Sequence, residues 1–152
     1  MTFYTTRFGT LECSEDDLFV MPEGFLGFPQ YTRFVVINHK PGSPFRWIQS
    51  VEEASLAFLV LDPQEVSGDY QPEINDLDAR ALGLDEHTPR QLYAVVSIPR
   101  GNPQAMTVNL AGPIVINAQK QIGRQVVIDD ERWGTKHAVV SIQDQEDRKA
   151  AA

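Results

Sequence analysis

The sequence predicts a mainly β protein, a compact β-barrel-like single domain with one short inserted helix. Three observations point there. Apolar residues fall in short runs rich in Val, Ile, Phe and Thr, the pattern of strands rather than of long helices. Ten prolines and ten glycines are scattered between those runs, where they punctuate turns and form no low-complexity tract. Only one stretch has clear helical spacing, so helices do not alternate with strands as a layered α/β fold requires.

Taken in order, strands are expected at Thr2–Cys13, Leu18–Met21, Arg33–Asn38, Arg46–Ser50 and Leu56–Leu61, with a short helical turn around Val51–Ala54. A helix follows over Pro72–Leu82. Ile74, Leu77, Ala81 and Leu82 form its apolar stripe, Pro72 suits the first turn, and Gly83 suits a left-handed stop with Leu84 behind it. Its outer face then carries Glu73, Asp76, Asp78 and Arg80, with Asp76 and Arg80 at i, i+4 spacing. The remaining strands are Gln91–Ile98, Ala105–Leu110, Pro113–Asn117 and Arg124–Ile128. In Gln91–Ile98 both alternating faces are apolar, so this strand should be central and covered on both sides. Residues 1–142 make one domain, and the polar residues 143–152, ending in alanines, are expected to be frayed or loosely helical.

Charge narrows the partners. Of the formal net charge of -8, residues 1–90 hold 15 acids against 6 Lys/Arg, a net of -9, while residues 91–152 hold 6 against 7, a net of +1. An acidic chain binds phosphate poorly, so direct DNA or RNA contact is not expected. A basic protein partner and plain solubility are both served by such a surface. Cys13 is the only cysteine, which leaves no intramolecular disulfide, and the N-terminus lacks the layout of a signal peptide. A cytoplasmic protein is expected, with no membrane partner, because no apolar stretch approaches the roughly 18–20 residues a spanning helix needs.

Catalytic patterns are thin. His39, His87 and His137 are far apart, and none has a metal-ligand companion at i+3 or i+4. Cys13 closes a strand beside Glu15, Asp16 and Asp17, a poor setting for a nucleophile, and reads as a buried structural residue. Gly24 and Gly27 lack the spacing of a dinucleotide loop and instead suit a tight turn between aromatic anchors, Phe25 and Phe28. The acid pairs Glu52–Glu53, Asp85–Glu86 and Asp129–Asp130–Glu131 read as solvated surface. No enzyme activity and no cofactor are expected. Residues distant in sequence can still converge on a site, so a small ligand-binding or catalytic barrel stays open, and a deep pocket with converging polar groups would favour it.

Five segments stand out when read in order: Val20-Met21-Pro22-Glu23-Gly24-Phe25-Leu26-Gly27-Phe28, Pro44-Phe45-Arg46-Trp47-Ile48-Gln49-Ser50, Phe58-Leu59-Val60-Leu61-Asp62-Pro63, Met106-Thr107-Val108-Asn109-Leu110-Ala111-Gly112-Pro113-Ile114-Val115-Ile116-Asn117 and Gly123-Arg124-Gln125-Val126-Val127. In this order they resemble the FliW family of flagellar assembly factors. Together they cover most of residues 3–128. The resemblance implies a barrel-like fold and a partner switch: binding to flagellin in the cytoplasm, then, once flagellin is exported, binding to the translational repressor CsrA. That second step relieves repression of flagellin translation, and in some members it acts away from the RNA groove of CsrA. A dedicated flagellin chaperone with no translational role is the close alternative.

CsrA must be basic to hold RNA, so an acidic partner is steered toward it. Glu52, Glu53, Asp69 and Glu73 are the expected partner-binding acids. Asn109 either points outward to a partner or braces the turn before Gly112-Pro113. Gln49 and Gln125 are interface hydrogen bonders or satisfied edge-strand glutamines. Flagellin termini are amphipathic helical segments, which an apolar groove of unknown position would sequester.

Overall fold

In the computed structural model, which describes residues 1–139, seven strands close into a ring. The strands are β1 (Thr2–Thr5), β2 (Gly9–Glu12), β3 (Leu18–Val20), β4 (Arg33–Asn38), β5 (Phe45–Ser50), β6 (Ala57–Leu61), β7 (Arg90–Ser97), β8 (Thr107–Val108), β9 (Ile114–Asn117), β10 (Ile122–Gln125) and β11 (His137–Ala138). A single helix, α1 (Asp76–Leu82), lies between β6 and β7 among the described residues. The ring runs β7-β6-β5-β4-β3-β10-β9 and closes by pairing β9 back on β7. All of its pairs are antiparallel except β10 on β3. Closure pairs most of the edge that an open sheet would leave free. Strands β8 and β11 extend from the C-terminal half of β7, and β1 with β2 forms a separate hairpin.

Strand β7 is the hub, as its sequence predicted. Tyr93 belongs to one buried cluster with Phe19, Phe34, Ile48, Val60 and Ile114, whereas Ala94 and Val96 belong to the other with Leu61, Leu82, Val108 and Val115. Successive side chains of one strand thus feed two cores. On β10 the first core packs directly against backbone. A methyl at Gly123 would meet Ile116 at 3.3 Å and Met21 and Phe19 at 3.4 Å, so any side chain there would press on these core residues.

Several expected elements change on folding. The run Thr2–Cys13 is a hairpin, because Gly9 takes a left-handed φ of 73°. The Thr5 hydroxyl fastens the turn by donating to the Gly9 carbonyl and accepting from the Phe8 amide. The segment Val51–Ala54 is not helical. Its geometry is set by side chains: the Ser50 hydroxyl accepts the amides of Glu52 and Glu53, and the Gln49 amide reaches the carbonyls of Ala54 and Leu56. Expected strands also shorten at their ends, with Ala105–Leu110 reduced to β8 because Pro103–Ala105 forms a 3-10 turn. Cys13 is half-buried and not a core residue.

The helix starts at Asp76 and not at Pro72, because the Asn75 side chain caps it by accepting the Asp78 amide at 2.8 Å. It stops where expected, with Gly83 at φ 69° and the Leu84 amide on the Ala79 carbonyl. Its buried face differs from the apolar stripe. Leu77 is 70% exposed, and Asp78, expected on the outer face, is 7% exposed and turned inward with Leu82. The tail 143–152 lies outside the described residues.

Candidate functional site

Arg124 on β10 explains the inward turn of Asp78. Its Nε lies 2.9 Å from Asp78 Oδ1, and its Nη2 lies 3.2 Å from Glu23 Oε2 on the 22–29 loop. Asn117 fastens the other end of the helix: its Nδ2 donates to the Leu82 carbonyl at 2.8 Å, while its Oδ1 accepts the amides of Gln119 and Lys120. The helix is therefore bolted to the β9–β10 hairpin at both ends.

The expected partner-binding acids fall at opposite ends of β6. Glu52 and Glu53 precede that strand, and Asp69 and Glu73 follow it in the 62–75 loop. Glu52 also has a local task. Its carboxylate accepts the amides of Thr32 at 2.7 Å and Arg33 at 2.9 Å, where β4 begins. The Thr32 amide chiefly holds this carboxyl below its usual range; burial opposes it, and the Arg33 amide and charge add to the lowering. Glu53 accepts the Ser55 hydroxyl at 2.7 Å. Asp69 accepts the Ser67 hydroxyl, which lowers its carboxyl most, with the Arg132 charge adding to the effect. Glu73 is exposed. The Asn109 Oδ1 accepts the amides of Ala111 at 3.0 Å and Gly112 at 2.9 Å, so this side chain braces its turn.

The two glutamines are internal braces. Gln49 is fully buried under the β5–β6 loop. Gln125 accepts the Leu26 amide and donates to the Gly112 carbonyl, which ties two loops together. In the Gly24–Phe28 turn, glycines at φ 65° and 89° swing Phe25 into the core, stacked on Phe58 at 4.1 Å between centroids. Phe28, expected as a second anchor, is instead 38% exposed and meets Phe58 with one edge. His39 accepts the Trp47 indole N–H, and His137 accepts the Gly134 amide. Among the described residues no three His, Cys, Asp or Glu side chains gather in a group able to hold a metal ion, and no helix is long and apolar enough to cross a membrane.

A cleft of about 570 Å³ lies between the end of β6 and the start of β7, lined by Asp62, Gln64, Tyr70, Ile74, Arg90 and Leu92 among others. Nothing in the spacing of residues foretold it. Most of its side-chain polar groups already have partners. Asp62 accepts the Gln64 amide, Gln64 donates to the Tyr70 carbonyl, Tyr70 donates to the Leu110 carbonyl at 2.6 Å, and Arg90 donates to the carbonyls of Asp85 and Thr88. Converging free side chains of the kind that orient a small substrate are not found here.

Fold and site together define a small closed-barrel protein with an acidic surface and one docked helix. Comparison with known proteins places it further. The family model described as FliW protein matches residues 2–139, and the chain belongs to the FliW family of flagellar assembly factors. The flagellar assembly factor FliW of Syntrophus aciditrophicus is 39% identical over 140 residues, covering 92% of this chain and 88% of its own. That of Leptospira biflexa is 33% identical over 140 residues, covering 92% of each chain. A crystal structure of a flagellar assembly factor FliW superposes with a TM-score of 0.83 at 27% identity, over 91% of this chain and 96% of that one.

Proposed function

We propose that this chain is a non-enzymatic, cytoplasmic flagellar assembly factor that binds flagellin and, when freed of it, binds CsrA and relieves translational repression. Membership of the FliW family along nearly the whole barrel carries the reading. Charge supports it: 15 acids against 6 Lys/Arg in residues 1–90 give a field that steers a basic protein in and holds nucleic acid off. The exposed apolar side chains Leu26, Leu77 and Val127 offer area for a protein partner.

Flagellin and CsrA are then linked ligands, and saturation with one lowers affinity for the other. Titrating flagellin into a preformed complex with CsrA should release CsrA. A ternary complex that persists at every flagellin concentration rules out the switch. A chaperone without a translational role would bind flagellin and leave CsrA unbound in the same experiment.

A further inference from the structure

The ladder between β6 and β7 is two residues long, with Val60 opposite Val95 and Leu61 opposite Ala94. Beyond Leu61 the chain leaves the sheet at Asp62 and enters a 3-10 turn, Pro63–Glu65. Strand β7 meanwhile continues back to Arg90, paired only on its other edge, from Arg90 opposite Asn117 to Tyr93 opposite Ile114. The Ala118 amide donates to the Pro89 carbonyl at 3.0 Å. Main-chain polar groups alternate sides along a strand, so residues 89, 91 and 93 address β9, whereas Arg90 and Leu92 address the edge that β6 has left. Extending the register would set Leu92 opposite Pro63, which has no N–H to give. The barrel thus forks, and the 570 Å³ cleft lies in the fork.

Two properties of the fork define what fits it. An open strand edge recognises an extended backbone, and the half-buried apolar side chains of Pro72, Ile74 and Leu92 offer a seat beside it. The wall formed by residues 62–75 carries exposed Asp62, Glu65, Asp69 and Glu73 with no Lys or Arg. Asp69 feels the charge of Arg132, and the Arg90 guanidinium is turned back onto the Asp85 and Thr88 carbonyls. The other three acids keep a negative rim.

We propose that the β6–β7 fork docks an extended, basic segment of a partner protein, which adds as a strand to the Arg90–Leu92 edge. An apolar side chain of the segment rests on Pro72, Ile74 and Leu92, and a Lys or Arg lies along the acidic wall. The inference rests on the protein-binding function above and assigns it a surface and a partner chemistry.

Amide hydrogen exchange of the full chain tests it, with a capped hexapeptide of alternating lysine and valine as probe. In the free protein the Arg90 and Leu92 amides should exchange at least about 10-fold faster than those of Gln91 and Tyr93. Peptide should slow both, and N-methylating alternate peptide nitrogens or replacing lysine by glutamate should abolish the effect. Glu65→Lys with Glu73→Lys, two exposed sites, should weaken the peptide about 10-fold by reversing the rim. Arg90 and Leu92 amides as slow as their neighbours before peptide, or unchanged at saturation, overturn the site. If the peptide protects both amides but neither flagellin nor CsrA binds, the docking site stands and the partner assignment falls. If flagellin and CsrA bind while both amides stay unprotected with every ligand, the partners stand and the site falls.

Discussion

The Asp78 carboxylate accepts the Arg124 Nε at 2.9 Å, and through this contact the only described helix is seated on the barrel wall. The two side chains are 10% and 24% exposed, while Glu23, the second acid on Arg124, is 68% exposed. The environments set the expected costs. Asp78→Ala leaves Arg124 without its shielded partner and should destabilise by about 3 kcal/mol. Glu23→Ala removes a solvated ion pair and should cost at most about 1 kcal/mol. Urea unfolding of the two variants measures both, and equal midpoints would show that the Asp78 pair does not anchor the helix.

That pair also shows where the sequence was opaque. Leu77 completes an apolar stripe and Asp78 breaks it, so a hydrophobicity count turns the helix the wrong way round. Only the distant Arg124, which the count cannot see, makes the acid the inward residue. The hairpin hidden in Thr2–Cys13 was more accessible, since Gly9 sits in the middle of the run. The hub role of β7 was legible because both of its faces are apolar and no partner had to be known. The fork beside it was not, because it depends on where two strands distant in sequence stop pairing. Its one local mark is Asp62-Pro63, where the loss of an N–H ends a ladder.

Tyr70 supplies a test of the second core. Its hydroxyl donates to the Leu110 carbonyl and its ring packs edge-on against Trp133 at 4.9 Å. Burial pushes the phenol up to about 12, whereas the unfolded chain has an ordinary tyrosine near 10. The folded pKa is raised, so the contribution is complete below about pH 10 and declines as pH climbs toward 12. Tyr93, raised chiefly by burial, acts in the same direction. Tyr70→Phe should cost about 1–2 kcal/mol at pH 7 through the lost hydrogen bond and flatten the alkaline limb. Denaturation series at pH 7, 10 and 11 would separate the two effects.

Asn109 distinguishes bracing from recognition. Its Oδ1 holds the Ala111 and Gly112 amides, so Asn109→Ala should lower stability by about 1–2 kcal/mol. Asn109→Asp keeps the acceptor and should restore most of that loss. Binding of flagellin and CsrA, measured well below the melting temperature, should change little in either variant. A variant that melts like the wild type but loses a partner would make Asn109 an interface residue.

The acids on the β5–β6 loop give the last prediction, and their local bonds decide how to test it. Reversing Glu52 removes the acceptor of the Thr32 and Arg33 amides, so Glu52→Lys mixes a structural loss with a change of field. Glu53 accepts only from Ser55 within its own loop. Glu53→Lys is therefore the cleaner probe of steering. If this end of the barrel guides a basic partner, the variant should slow association with CsrA about 2–5-fold and leave dissociation nearly unchanged, since steering acts on encounter more than on the bound state. The difference should fade as salt rises, because charges are screened over about 10 Å at 0.1 M ionic strength. Stopped-flow association at 20 and 300 mM salt makes the comparison directly. Equal association rates for wild type and variant at the lower salt would remove Glu53 from the steering surface and leave the acidic wall beyond β6 as the face to probe.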